Sequence, residues 1–167
     1  MTTTAMASSV RIPSAAVSSR KWERDKHLSH VRLRSPRPLV DPHGCVLEGI
    51  TGSAGVRARK ADGSTIGCDF IWMLPHTSFP MHTHPGDHIL YVVQGSGFVH
   101  IDGCDIAIRA GYVIHVPAEH PHRVFTRRSR LLMAAVGHPH HAIDACERMS
   151  LSPDHFAADT NPARDGS

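Results

Sequence analysis

Four histidines in two short segments have the spacing of a metal site. His82 and His84 are two residues apart, so on a strand their side chains would share one face. A turn at 85–87 then returns the chain and brings His88 toward the same face, and a later strand delivers His122. Imidazoles gathered in this way predict a metal centre. Nitrogen ligands suit zinc, iron, copper and nickel, with zinc or iron expected and manganese less natural.

The sequence around these histidines resembles the two motifs of the cupin superfamily. The first motif is HxHx3(E)x6G and the second is Gx5Px(G)xxH, and the residues that match them are His82, His84, Gly95, Gly111, Pro117 and His122. The resemblance covers about residues 45 to 137. It implies an all-β fold, a single cupin barrel (a double-stranded β-helix or jelly-roll of two antiparallel sheets). It also implies one divalent transition metal held by His82, His84, His88 and His122.

Two residues depart from the motifs. His88 stands where the family usually has a glutamate ligand, and Glu119 stands where it usually has glycine. Certain polyketide cyclases and manganese-binding members of the family also hold metal through four histidines. Four neutral ligands leave the full 2+ charge on the ion, which strengthens it as a Lewis acid. All four imidazoles must be neutral to bind, and their free pKa is about 6.5, so metal affinity is expected to fall below about pH 6.

Three functions fit such a site. The first is a metalloenzyme that uses Lewis-acid chemistry (cyclisation, isomerisation or lyase type) on a small oxygenated organic substrate, with His120 as the candidate catalytic base. The second is a mononuclear iron dioxygenase, for which a carboxylate ligand is not strictly required. The third is a non-catalytic ligand-binding or sensor protein in which the metal only stabilises the barrel. The other histidines of the second half are expected to face solvent: His100, His115, His138, His140 and His141.

The elements that must position these residues are short strands. From residue 45 to 136, apolar runs alternate with Gly, Pro and Asp-Gly turns, which is typical of an antiparallel sandwich or small barrel. Alternation predicts that Leu90 and Val92 line the barrel interior and that Gln94 caps its far end. The run 65–74 alternates too, but either of its faces could line the cavity. One short helix is expected near His141–Met149.

The sequence predicts three parts of the chain, of which the first is distinguished by its charge. Residues 1–40 carry eight Lys/Arg against two acidic residues and form a predicted disordered basic arm. Residues 41–150 form the predicted cupin domain, and 151–167 a flexible tail. Because the basic excess belongs to the arm, a nucleic-acid-binding face is not expected on the fold. Residues 1–22 lack acids and are rich in Ser, Thr and Ala, so an organellar transit peptide is the alternative interpretation of the arm.

Cysteine usage and hydropathy bear on the compartment. The four cysteines lie far apart without a CxxC pair, which favours reduced thiols and a cytoplasmic protein over a disulfide scaffold. No run approaches the roughly 18 to 20 apolar residues of a membrane helix, so no membrane partner is expected. Barrels of this family often form homodimers, and residues 40–60 are the natural candidate for that interface.

Overall fold

The computed structural model describes residues 32–152, and within them the chain is built almost entirely of strands. No helix in this part is long and apolar enough to cross a membrane. The strands are β1 Arg37–Val40, β2 Val46–Arg59, β3 Thr65–Met73, β4 His82–Thr83, β5 Asp87–Ile101, β6 Cys104–Arg109, β7 Val113–Val116, β8 His122–Phe125, β9 Leu131–His138 and β10 Ser150–Leu151.

The long strand β5 joins two antiparallel sheets into the predicted cupin barrel. Its first half pairs with β9 and β7, and β9 continues through β3 and β2 to β1. Its second half pairs with β6 and β8, and β8 continues through β4 to β10. A register shift between Val92 and Gln94, followed by Gly95 at φ +82°, marks the change of sheet. β4 and β8, which carry the predicted ligands His82 and His122, therefore lie in the second sheet, whereas His88 lies on the half of β5 that belongs to the first.

Strict alternation places the core between the sheets. β9 buries every second residue from Leu131 to Gly137, and Leu90 and Val92 of β5 are 4% and 0% exposed, as predicted for the interior. The inner face of β3 is the one that carries Asp69, because Asp69 pairs across with Ala135, and Ala135 pairs across with Leu90. Gln94 is exposed, contrary to the prediction, because the irregularity after Val92 changes the side to which β5 presents its side chains.

The predicted C-terminal helix is wrong. Between His141 and Met149 the structure has a single 3-10 turn, Cys146–Arg148, whose preceding residue makes no side-chain cap. The buried residues of this segment, Ile143 and Met149, are six positions apart, so one helix face could not bury both. A helix of nine residues without a cap is also marginal by itself. The segment instead follows the barrel wall and brings Arg148 to it.

The predicted domain limits, 40 and 150, lie near the two ends of the described residues. Residues 1–31 of the predicted arm, and all of the predicted tail after Ser152, lie outside the described residues. Residues 37–40 of the arm form β1, and the side chain of Leu39 in this strand is buried, with 2% exposed. The sheet therefore begins a few residues before the predicted boundary at 40.

Replacing Gly95 by alanine is expected to lower the free energy of unfolding by at least about 2 kcal/mol. Gly95 has a positive φ, which costs an L-residue about 1–2 kcal/mol, and an added Cβ would overlap the Arg130 carbonyl oxygen. Gly103 also has a positive φ, +72°, but nothing lies within 4 Å of its added Cβ. Urea unfolding of Gly95→Ala and Gly103→Ala separates the two effects. Equal losses of unfolding free energy in the two variants would mean that the contact with the Arg130 carbonyl does not contribute to the effect.

Candidate metal centre

The site begins with a cross-strand pair. His82 on β4 pairs in register with His122 on β8, and their ring centroids lie 4.4 Å apart. His84 follows β4 two residues after His82 and turns its ring edge toward His122, with centroids at 4.7 Å. Period-2 alternation and strand pairing thus bring the three imidazoles to one place. One ring nitrogen from each lies within 4.8 Å of the others.

Backbone carbonyls fix the orientation of all three rings. The Nδ1 atoms of His82, His84 and His122 lie 2.8, 2.7 and 2.9 Å from the carbonyl oxygens of Pro80, Gly86 and His120. A carbonyl oxygen can only accept, so each Nδ1 carries the proton and donates it. The unprotonated nitrogen of each neutral ring is then Nε2, which is the form of histidine that binds a metal.

Burial keeps these imidazoles neutral. The three residues are 3–6% exposed. Desolvation holds the pKa of His82 well below its usual value and also lowers the pKa of His84. It lowers the pKa of His122 to about 4. Near neutral pH the site therefore offers nitrogen lone pairs without competing protons.

The donor set fits a divalent transition metal. Nε2 of His84 is buried and has no hydrogen-bond partner among the described residues, which is costly unless a ligand satisfies it. Two nitrogens bound to one ion at ~2.1 Å are at most ~4.2 Å apart, so the observed cluster is close to binding geometry. The cluster contains no carboxylate, which distinguishes it from sites for magnesium or calcium.

Comparison with known families agrees with this geometry. The family model for the cupin domain matches residues 70–134, the segment that contains the whole three-histidine cluster. Residues 70–134 form a cupin domain. No curated protein matches it significantly in sequence.

Solved structures share the fold of this cupin. A polyketide cyclase from Streptomyces resistomycificus is 18% identical, with a TM-score of 0.55 over 77% of this chain and 90% of that one. The KdgF protein from a Halomonas species is also 18% identical, with a TM-score of 0.52 over 66% and 88%. A cupin-2 domain protein from Rhodospirillum rubrum is 12% identical, with a TM-score of 0.50 over 77% of each chain. At these identities the likeness shows the fold.

His88, the predicted fourth ligand, lies beside the cluster of this cupin. Its ring stacks on that of His84 with centroids 3.7 Å apart and 20° between planes. Ring lone pairs lie in the ring plane, so two nearly parallel imidazoles do not aim at one point. Burial, followed by the nearby histidines His84 and His122, lowers the pKa of His88 to about 3. The structure thus groups three of the four predicted ligands and places the fourth, neutral, in contact with them.

His120, the predicted base, is not brought to the cavity. Its Nε2 lies 2.5 Å from Asp102 Oδ1 at the surface, and its side chain is not among those that line the cavity. What His120 contributes is the carbonyl that orients His122. The neighbouring Glu119 has φ +57°, a left-handed conformation that glycine adopts freely. This backbone geometry explains why glycine suits the position in the family motif.

A cavity of about 80 Å³ opens beside the cluster. Its apolar wall includes Phe79, Leu90, Val124 and Met133. Its polar wall includes four residues that were not predicted at the site from the sequence: Asp69, His140, His141 and Arg148. The sequence did offer a reason to single out Asp69. It is a carboxylate within an otherwise apolar strand, and carboxylates are rarely buried unless they are paired. His140 was expected to face solvent, yet its side chain is 5% exposed.

Proposed function

We propose that this cupin is a metal-dependent enzyme that acts on a small oxygenated organic substrate by Lewis-acid chemistry of the cyclisation, isomerisation or lyase type. The observation that carries the proposal is the set of three buried, neutral imidazoles held by three backbone carbonyls. An orientation fixed before any ligand arrives is typical of the histidines of a metal centre. Zinc or iron is the expected metal.

The residues at the site would have different roles in this function. His82, His84 and His122 would hold the ion, and His88 is the proposed fourth ligand. A divalent ion bound only by neutral ligands supplies its full charge to polarise a substrate carbonyl. The apolar wall of the cavity lowers the local dielectric constant and so strengthens electrostatic contacts beside it. His140 lines the cavity and His120 does not, so proton transfer is better placed at His140.

Two alternatives use the same donor set. Imidazole ligands also suit ferrous iron, so a mononuclear iron dioxygenase is the second candidate function. A sensor or binding protein is the third. Elemental analysis of the purified protein, together with oxygen consumption over a panel of diketones, catechols and flavonols, separates them. We expect one metal ion per chain and no oxygen uptake. Substrate-dependent oxygen uptake with bound iron would contradict the proposed Lewis-acid function.

Replacing His88 by alanine is expected to weaken metal binding by about 10- to 100-fold, the range for loss of an important partner of a metal site. His88→Glu should retain the metal, because a carboxylate is also a ligand and reduces the charge of the site. Zinc titrations against a chromophoric chelator compare both variants with the wild type. Wild-type affinity in both variants would show that His88 is not a ligand and that its stacking on His84 is its resting position.

A homodimer is also proposed, and the outer face of the first sheet supports it. A cross-strand row of side chains, Phe70, Ala134, Tyr91 and Val113, spans four strands. Tyr91 and Val113 are 45% and 64% exposed. Contiguous apolar surface of this kind is common at protein interfaces. Sedimentation velocity at micromolar concentration tests the proposal, with a monomer as the contrary result.

A cytoplasmic location is proposed on the state of the cysteines. All four lie among the described residues and are free. A zinc or iron site of neutral imidazoles does not require them. Fractionation of cells that express the full chain tests the location.

A further inference from the structure

Buried polar atoms without partners converge on the cavity. Among the described residues, four buried side-chain nitrogens have no hydrogen-bond partner, and three of them belong to residues that line this one cavity. The three are Nε2 of His84, Nδ1 of His140 and Nε of Arg148. Orphaned buried groups are costly, by about 1–3 kcal/mol each and more when charged. His84 belongs to the metal cluster, so His140 and Arg148 are the two residues of the cavity whose unpaired nitrogens remain to be explained.

Arg148 brings a positive charge to the cavity and makes no contact ion pair among the described residues, and Asp69 acts on it only at longer range. One terminal nitrogen, Nη2, donates to the Val40 carbonyl oxygen at 2.7 Å, which fixes the guanidinium. No carboxylate of the described residues lies within salt-bridge distance of it. Burial lowers the pKa of Arg148, as expected for a cation removed from water. Nε of this guanidinium is a buried donor without an acceptor.

Asp69 is the acidic residue of the cavity, and it is already engaged. Its Oδ1 accepts the Gly55 backbone N–H at 3.1 Å. Its Oδ2 lies 2.9 Å from Nε2 of His140. Both side chains are nearly inaccessible, with 7% and 5% exposed. Asp69 therefore orients His140, and Arg148 is left for a ligand.

His140 is held in a defined orientation and tautomer. Its backbone N–H donates to the Thr65 carbonyl at 2.7 Å, and its ring fills the space that a Cβ on Gly67 would occupy. Because a carboxylate only accepts, Nε2 carries the proton and donates it to Asp69. In the neutral ring, Nδ1 is then an acceptor, and it requires a donor such as a hydroxyl group.

We propose that the wall formed by Arg148 and His140 binds an anionic oxygen and a hydroxyl group of the same ligand, so that the substrate is a hydroxy acid. The proposal rests on the proposed function, in which a further oxygen of the substrate meets the metal. The cavity volume of about 80 Å³ corresponds to roughly five to eight water-sized positions. It therefore accepts a small hydroxy acid, or the acidic hydroxylated end of a larger molecule.

Lactate and two analogues of similar size test the two contacts separately. Propionate lacks the hydroxyl, and lactamide lacks the negative charge. Binding to the metal-free wild-type protein is measured by titration calorimetry or NMR shifts. Lactate is expected to bind at least about tenfold more tightly than either analogue, because propionate leaves Nδ1 of His140 unpaired and lactamide offers Arg148 a neutral oxygen in place of a charged one. Equal affinities, or lactate binding weaker than about 10 mM, would overturn the proposal.

An arginine variant and a matched control complete the test. Arg148→Met should reduce the preference for lactate over lactamide to about onefold, whereas Arg128→Met, at an exposed arginine outside the cavity, should preserve it. Should Arg148→Met not fold, the comparison of lactate with its two analogues in the wild-type protein is the test.

Repeating the titrations with zinc-loaded protein separates this proposal from the proposed function. A preference for lactate that appears only with zinc and persists in Arg148→Met would contradict this proposal and leave the proposed function intact. A preference for lactate in a protein that binds no metal would contradict the proposed function and leave this proposal intact.

Discussion

Replacing His84 by alanine is expected to weaken zinc binding by at least about 100-fold. Loss of a residue that merely supports a ligand typically costs 10- to 100-fold, and His84 supplies one of three clustered nitrogens. Its Nε2 has no other partner among the described residues, so the metal is the one group that satisfies it there. Competition titration with a chromophoric chelator measures the loss.

Thermal unfolding gives a second readout for His84→Ala. Zinc at 100 to 1,000 times its dissociation constant adds about 2.7 to 4.1 kcal/mol to the stability of a protein that binds it only when folded. The wild type should gain this stabilisation, and His84→Ala should not. The matched control is His43→Ala, at an exposed histidine in the turn between β1 and β2, which should behave like the wild type. An unchanged zinc affinity in His84→Ala would remove the centre from this position.

Lowering the pH from 6.5 to 4 is expected to destabilise the metal-free protein by several kcal/mol. The pKa is lowered to about 4 in His122 and to about 3 in His88, in both cases mainly by burial. In the unfolded chain both return to about 6.5. Between these values the unfolded state binds more protons, so stability is complete above pH 6.5 and is lost as the pH falls. His122 alone contributes about 3 kcal/mol, a large part of the usual 5–15 kcal/mol.

Urea unfolding between pH 7 and 4 measures this loss. His122→Gln cannot take up a proton at that position, so its stability should fall less steeply than that of the wild type. A flat profile for the wild type would mean that these imidazoles are not buried and neutral. The sequence alone placed the loss of metal affinity below about pH 6, on the basis of free imidazoles. Burial moves proton competition within the folded state to lower pH, and at pH 5 to 6 acid acts mainly on folding.

The local patterns of the sequence were sufficient to predict the barrel and most of the cluster. Alternation identified the interior side chains of β5, and the spacing of His82, His84 and His122 identified three residues that the structure brings together. These signals are local, because a strand fixes which side chains share a face and a motif fixes the turn between strands. Strand limits were less accurate. The pattern predicts turns at glycines, but β2 and β5 each continue through glycines because sheet pairing resumes beyond them.

The remaining features depend on contacts between distant parts of the chain. The polar wall brings together Asp69 of β3, His140 after β9 and Arg148 of the 3-10 turn, and no local pattern relates these positions. The orientation of His88 depends on the ring beside it, and the surface contact of His120 depends on Asp102. The helix prediction failed for a related reason. Its apolar residues pack on the barrel individually rather than along one helical face.

X-ray absorption spectroscopy of the zinc-loaded protein tests the central claim most directly, because it reports the atoms bound to the metal. Three clustered imidazoles and no thiolate or carboxylate in the group predict a first shell of nitrogen at ~2.0–2.1 Å with the scattering pattern of imidazole rings. The spectrum should account for three or four imidazoles per zinc and be lost in His84→Ala. A sulfur shell at ~2.3 Å, or a spectrum unchanged in His84→Ala, would contradict the account.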